Sequence, residues 1–154
     1  MLETEKIKHL QESELRNREL IERVYDELWN KRNSAVLDEC LSPNVVYRTP
    51  GTTCKGIEEY KQMYEMYASA FEKSHFEILD MIASNDKVVS RVLFTCVHTG
   101  DLAGIPASGK EVKMQAISIC RIEHGKIVEE FEVFDELGMM QQIGMELHMK
   151  ETVD

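Results

Sequence analysis

The chain has 154 residues, 43% of them hydrophobic and 30% charged, and a net charge of −10. That length suits one domain with a core of ordinary size. The negative field argues against nucleic acid and acidic membranes as partners, and no apolar run approaches the roughly 18 residues of a membrane span.

Met1–Lys6 is charged and lacks the apolar centre of a signal peptide, so a cytoplasmic location is expected. Residues 3 to about 31 read as helix, with Ile21, Val24, Tyr25 and Leu28 at i, i+3, i+4, i+7. Its first part is poor in large apolar residues, so residues 1–16 read as either an extension packing on a partner subunit or a frayed arm. Asn33 or Ser34 can cap a short helix over Ala35–Cys40. Val45–Thr49 reads as a strand stopped by Pro50-Gly51, and Ile57 to about Phe71 as a helix with Tyr60, Tyr64 and Tyr67 in its apolar stripe.

The remainder reads as β: His75–Ser84, Lys87–Thr99, a ten-residue loop Gly100–Gly109, then Val112–Ile122 and Lys126–Asp135 joined by Glu123-His124-Gly125. A short helix, Glu136 to about Gln142, precedes a loose tail over 146–154. With no linker or repeat, residues 17–145 form the single domain. Helices first and antiparallel strands after are the α+β order, and a curved sheet wrapped over a long helix leaves a pocket between them.

In the strand before the last helix, strict alternation puts Ile127, Glu129, Phe131, Val133 and Asp135 on one face. A carboxylate ending a largely apolar row has to be hydrogen-bonded, solvated or protonated. Asp135 is therefore a candidate acid/base, and equally a candidate N-cap for the helix after it. In the preceding strand, Val112, Met114, Ala116, Ser118 and Cys120 suit a concave wall. The opposite row, Gln115, Ile117, Ile119 and Arg121, carries two isoleucines on a face that should be solvated, which predicts a homodimer through the convex face. The scattered Cys40, Cys54, Cys96 and Cys120 read as small buried hydrophobes, and the dispersed histidines give no metal-binding spacing.

Three late motifs carry a resemblance: Gly104–Lys110, Arg121–Glu129 and Asp135-Glu136-Leu137 followed by Gln141–Gly144. With the opening segments Ile21–Asn33, Leu41–Tyr47 and Gly56–Tyr60, they make residues 17 to 145 similar to the SnoaL-like polyketide cyclases of the nuclear-transport-factor-2-like superfamily. The resemblance implies a cone-shaped α+β barrel with a deep apolar pocket, commonly dimeric. It implies an intramolecular aldol closure, or related isomerase or dehydratase chemistry, on a small hydrophobic carbonyl compound, driven without cofactor or metal by an acid/base at the position of Asp135. Tyr25 matches an oxyanion-donating tyrosine of the related ketosteroid isomerases, whose two aspartates are replaced here by Thr49 and Ser118. His98, in Val97-His98-Thr99-Gly100, is a candidate partner for Asp135 or a structural strand-end histidine. Trp29, Tyr47, Tyr64, Phe94, Met114, Ser118 and Phe131 are the candidate substrate-binding wall, and Gly104–Gly109 a candidate lid. The same fold also serves non-catalytic binding and assembly modules, which remain the alternative.

Overall fold

The structure is a computed structural model and describes residues 2–150. Helix α1 spans Leu2–Arg23 and runs on into a π-helical segment, Val24–Asn30. The long N-terminal helix thus crosses position 16 without a break. Its outer part is tied to the sheet by two bonds: Asn17 donates to the Asn85 carbonyl at 3.3 Å, and the Asn85 N–H donates to Glu14 at 2.8 Å. The last part of the expected tail, residues 151–154, lies outside the described residues.

After the short helix α2 (Ala35–Cys40) come β1 (Leu41–Arg48), β2 (Thr53–Lys55) and helix α3 (Ile57–Ala70). Four long strands follow, β3 (Phe71–Ser84), β4 (Lys87–His98), β5 (Glu111–Glu123) and β6 (Lys126–Phe134), and helix α4 (Glu136–Gln142) closes the fold. The sheet order is β2-β1-β6-β5-β4-β3, with β1 parallel to β6 and the other neighbours antiparallel. Sequence reading missed β2, whose three residues give no periodicity. The expected barrel is an open, curved sheet, with β2 and β3 as its edges.

Register irregularities in β1, β3 and between β5 and β6 bend the strands, as bulges do. The β5–β6 hairpin turns on His124 and Gly125, both at positive φ (49° and 73°), the two-residue turn whose twist matches antiparallel strands. One apolar cluster joins Ile21, Val24 and Leu28 to α2, β1 and the sheet; a second, with Phe71, Phe94, Val112 and Met139, fills the opposite end. All four cysteines are buried free thiols, and burial pushes Cys96 up to about 12, leaving it unreactive.

Candidate functional site

Between the π-helical segment, α3 and the concave face of the sheet lies a pocket of about 60 Å³. Aromatic rings make most of its wall. Phe76 of β3 packs against Tyr25 (5.7 Å between ring centres), Trp29 (5.2 Å) and Phe94 (4.5 Å), and Met63 and Met114 fill the gaps. The wide π-helical turn points both Tyr25 and Trp29 at the sheet.

The polar part of the wall comes from β6. Glu130 and Glu132 point into the pocket, followed by Phe134. A one-residue slip explains their direction. Ile122 pairs with Ile127 but Arg121 pairs with Glu129, so Val128 is an extra residue in β6. Beyond such a bulge every later side chain changes face. Ile127 is buried, and from there inward the even-numbered residues face the pocket.

Tyr60 of α3 donates to Glu130 Oε2 at 3.0 Å, and Tyr47 of β1 donates to Glu132 Oε2 at 3.4 Å. Burial raises both carboxyls above the ordinary carboxylate range, and the Glu130 charge raises Glu132 further. The two lie close enough to titrate as a pair. Two raised carboxyls that share one proton offer an acid and a base at one place. Among the described residues, no Lys, Arg or His lines the pocket to neutralise them.

Tyr25 presents the third polar feature. Its hydroxyl lies 2.9 Å from Ser90 Oγ and 3.2 Å from Ser118 Oγ, and those two serines are 2.9 Å apart. Burial and the nearby Glu130 charge keep the Tyr25 phenol well above its usual range, hence a neutral donor.

Asp135 does not reach the pocket. It is exposed, and its Oδ1 accepts the Gly138 N–H at 2.9 Å, the N-cap of α4. The cap closes so tightly over Gly138 that a Cβ there would lie 2.1 Å from Asp135 Oδ2. Phe131 is likewise on the outer face, 44% exposed. Both were expected inward from strict alternation, and the Val128 bulge reverses both.

His98 is fully buried away from the pocket, its Nδ1 3.0 Å from Ser108 Oγ and accepting the Ser108 N–H. It therefore anchors the Gly100–Gly109 loop rather than partnering Asp135. That loop packs Leu102 into the second core cluster and contributes no residue to the pocket wall, so it is no lid over this pocket. Tyr64 sits behind Trp29, donating to the Leu28 carbonyl at 3.1 Å.

Tyr25, Trp29, Tyr47, Phe94 and Met114 do line the pocket, and Ser118 stands just behind Tyr25. The sequence reading missed Glu130, Glu132 and Ser90. The i, i+2 pair Glu130/Glu132 with Phe134 forms an alternating row, but it is the more polar of the two rows in β6 and gives no sign of facing inward.

A family model described as SnoaL-like polyketide cyclase matches residues 19–143. Aklanonic acid methyl ester cyclase DauD of Streptomyces sp. (strain C5) is 28% identical over 110 residues, covering 71% of this chain and 67% of the relative. The enzyme of the same name from Streptomyces peucetius, DnrD, is 28% identical over 107 residues, covering 69% of this chain and 72% of the relative. Among solved structures, TsrD from Streptomyces laurentii superposes with a TM-score of 0.76 at 29% identity, covering 84% of this chain and 96% of that one. A SnoaL-like protein from Jannaschia sp. CCS1 reaches a TM-score of 0.80 at 21% identity, covering 86% and 94%, a likeness of fold.

Proposed function

From the premise that the chain belongs to the SnoaL-like polyketide cyclase family, we propose that it is a cofactor-independent cyclase in which the Glu130/Glu132 pair is the acid/base. The single observation carrying this reading is that pair: two carboxyls side by side on an aromatic wall, both raised by burial, with no cation beside them among the described residues. A carboxylate so desolvated is basic enough to take a proton from carbon beside a carbonyl. The ionised member of the pair takes the proton, and Tyr25, on the same pocket wall, donates to the enolate oxygen that develops. The enolate carbon then attacks a second carbonyl of the same molecule. One C–C bond forms, and the new alkoxide takes a proton from the pair.

The substrate class is a neutral polyketide ester, as the family description and the names of the Streptomyces relatives suggest. A substrate larger than the present cavity requires the walls to yield, and Met63 and Met114 are the flexible side chains that permit it. A homodimer through the convex sheet face belongs to the same proposal.

The test is incubation with such an ester. The product has the substrate's mass and a different chromatographic mobility, because an aldol closure loses no atoms. Glu132→Gln keeps the fold and lowers turnover by about 100-fold or more, while Asp135→Asn, which still caps, leaves turnover intact. The reverse pattern would return the chemistry to the position of Asp135 and sink this assignment.

A further inference from the structure

Ser90 and Ser118 interrupt rows that are otherwise apolar. Val88 and Val92 flank Ser90 on β4, Ala116 and Cys120 flank Ser118 on β5, and the two serines are direct cross-strand partners, 1% and 2% exposed. Neither touches the pocket; Tyr25 covers both. Three hydroxyls in mutual contact form a closed ring in which each donates once and accepts once, so every proton is used. We propose that this ring is a positioning device that reserves the Tyr25 proton for an oxyanion, with Ser90 and Ser118 as the positioning residues. The proposal deepens the cyclase reading and rests on it for the identity of the ligand oxygen.

The ring can open in one way without stranding a proton. One serine donates to the other, the second donates to Tyr25, and Tyr25 turns its proton to the ligand. Two bonds survive and the third is replaced. Towards a neutral carbonyl this exchanges one ordinary hydrogen bond for another. Towards an enolate or alkoxide the new bond is charge-assisted and roughly twice as strong. The ring therefore discriminates between ground state and intermediate, which is what accelerates a reaction. Register supports the placement: Ser118 pairs with Glu132 across β5 and β6, so the donor assembly and the acid/base pair occupy adjoining positions of the same concave face. Both serine bonds also pull the phenol downward against its burial, making Tyr25 a better donor than a lone buried tyrosine.

The probes are 4-nitrophenolate, a stable oxyanion whose ionisation is read by absorbance, and neutral 4-nitroanisole of the same shape. Binding is read in the Glu130→Gln/Glu132→Gln protein, which mimics the protonated pair and carries no carboxylate to repel the anion, and that parent protein is expected to prefer the phenolate. Ser90→Ala and Ser118→Ala each weaken phenolate binding about tenfold with nitroanisole binding unchanged, and Tyr25→Phe removes the preference. Should a single variant fail to fold, Ser90→Ala/Ser118→Ala removes both partners and strands neither serine. Equal weakening of both ligands, no weakening of either, or a parent protein without phenolate preference overturns the ring. The probe needs no turnover, so phenolate selectivity in the parent protein with no cyclised product from the wild-type one upholds the ring and fails the cyclase reading. Turnover indifferent to both serines fails the ring alone.

Discussion

Glu130 and Glu132 make stability depend on pH in a direction opposite to that of an ion-paired carboxylate. Their folded-state values lie above the ordinary glutamate value of 4.5, with burial the first cause in each. Below that value both are protonated, folded or unfolded, and their contribution is fully present. As pH rises through the elevated folded values, the unfolded chain releases protons that the folded one retains, and stability falls. Midpoints of thermal unfolding measured from pH 5 upward should therefore decline, and Glu130→Gln/Glu132→Gln should flatten the decline. An unchanged slope in the double variant would place the carboxyls in water. At this scale the sequence was legible for the rings and illegible for the acids. Trp29, Tyr47 and Phe94 announce themselves by hydrophobicity, whereas Glu130 and Glu132 look like ordinary solvated residues until their direction is known.

Elements owe their positions to a few specific ties. Arg32, at φ 55°, ends the π-helical segment and sends its guanidinium to the last turn of α3, donating to the Ala68 carbonyl at 2.6 Å and to the Phe71 carbonyl. A cation at a helix C-terminus satisfies carbonyls that have no intrahelical donor and complements the dipole. It also locks the two helical walls of the pocket together. Arg32→Ala should cost about 1–2 kcal/mol, read as a lower urea midpoint with an unchanged slope; no shift would make the contact incidental. Most element spans were readable from periodicity, α2 and α4 to the residue. The Val128 bulge was not, because β6 alternates cleanly in both registers. In it the row Glu129, Phe131, Val133 is the more apolar, so hydrophobicity alone chose the wrong face.

For the whole molecule, that apolar row has its own consequence. Ile117 pairs with Val133 and Ile119 with Phe131, and all four are 40–48% exposed, so β5 and β6 present one continuous apolar patch on the convex face. Patches of this kind mark association surfaces. The proposed homodimer predicts a sedimentation mass twice the chain's 17.8 kDa at micromolar concentration, and Ile117→Lys with Phe131→Glu should return it to monomer. A wild-type monomer would remove the interface while leaving the pocket as described. The amino-acid order by itself determined the α+β class, the chain order of the elements and the aromatic wall, because these follow from local periodicity and from side-chain size. Which carboxyls face inward was decided only in three dimensions. One extra residue in β6 is accommodated through its pairing with β5, and pairing between strands is a property of neighbours that no single strand encodes.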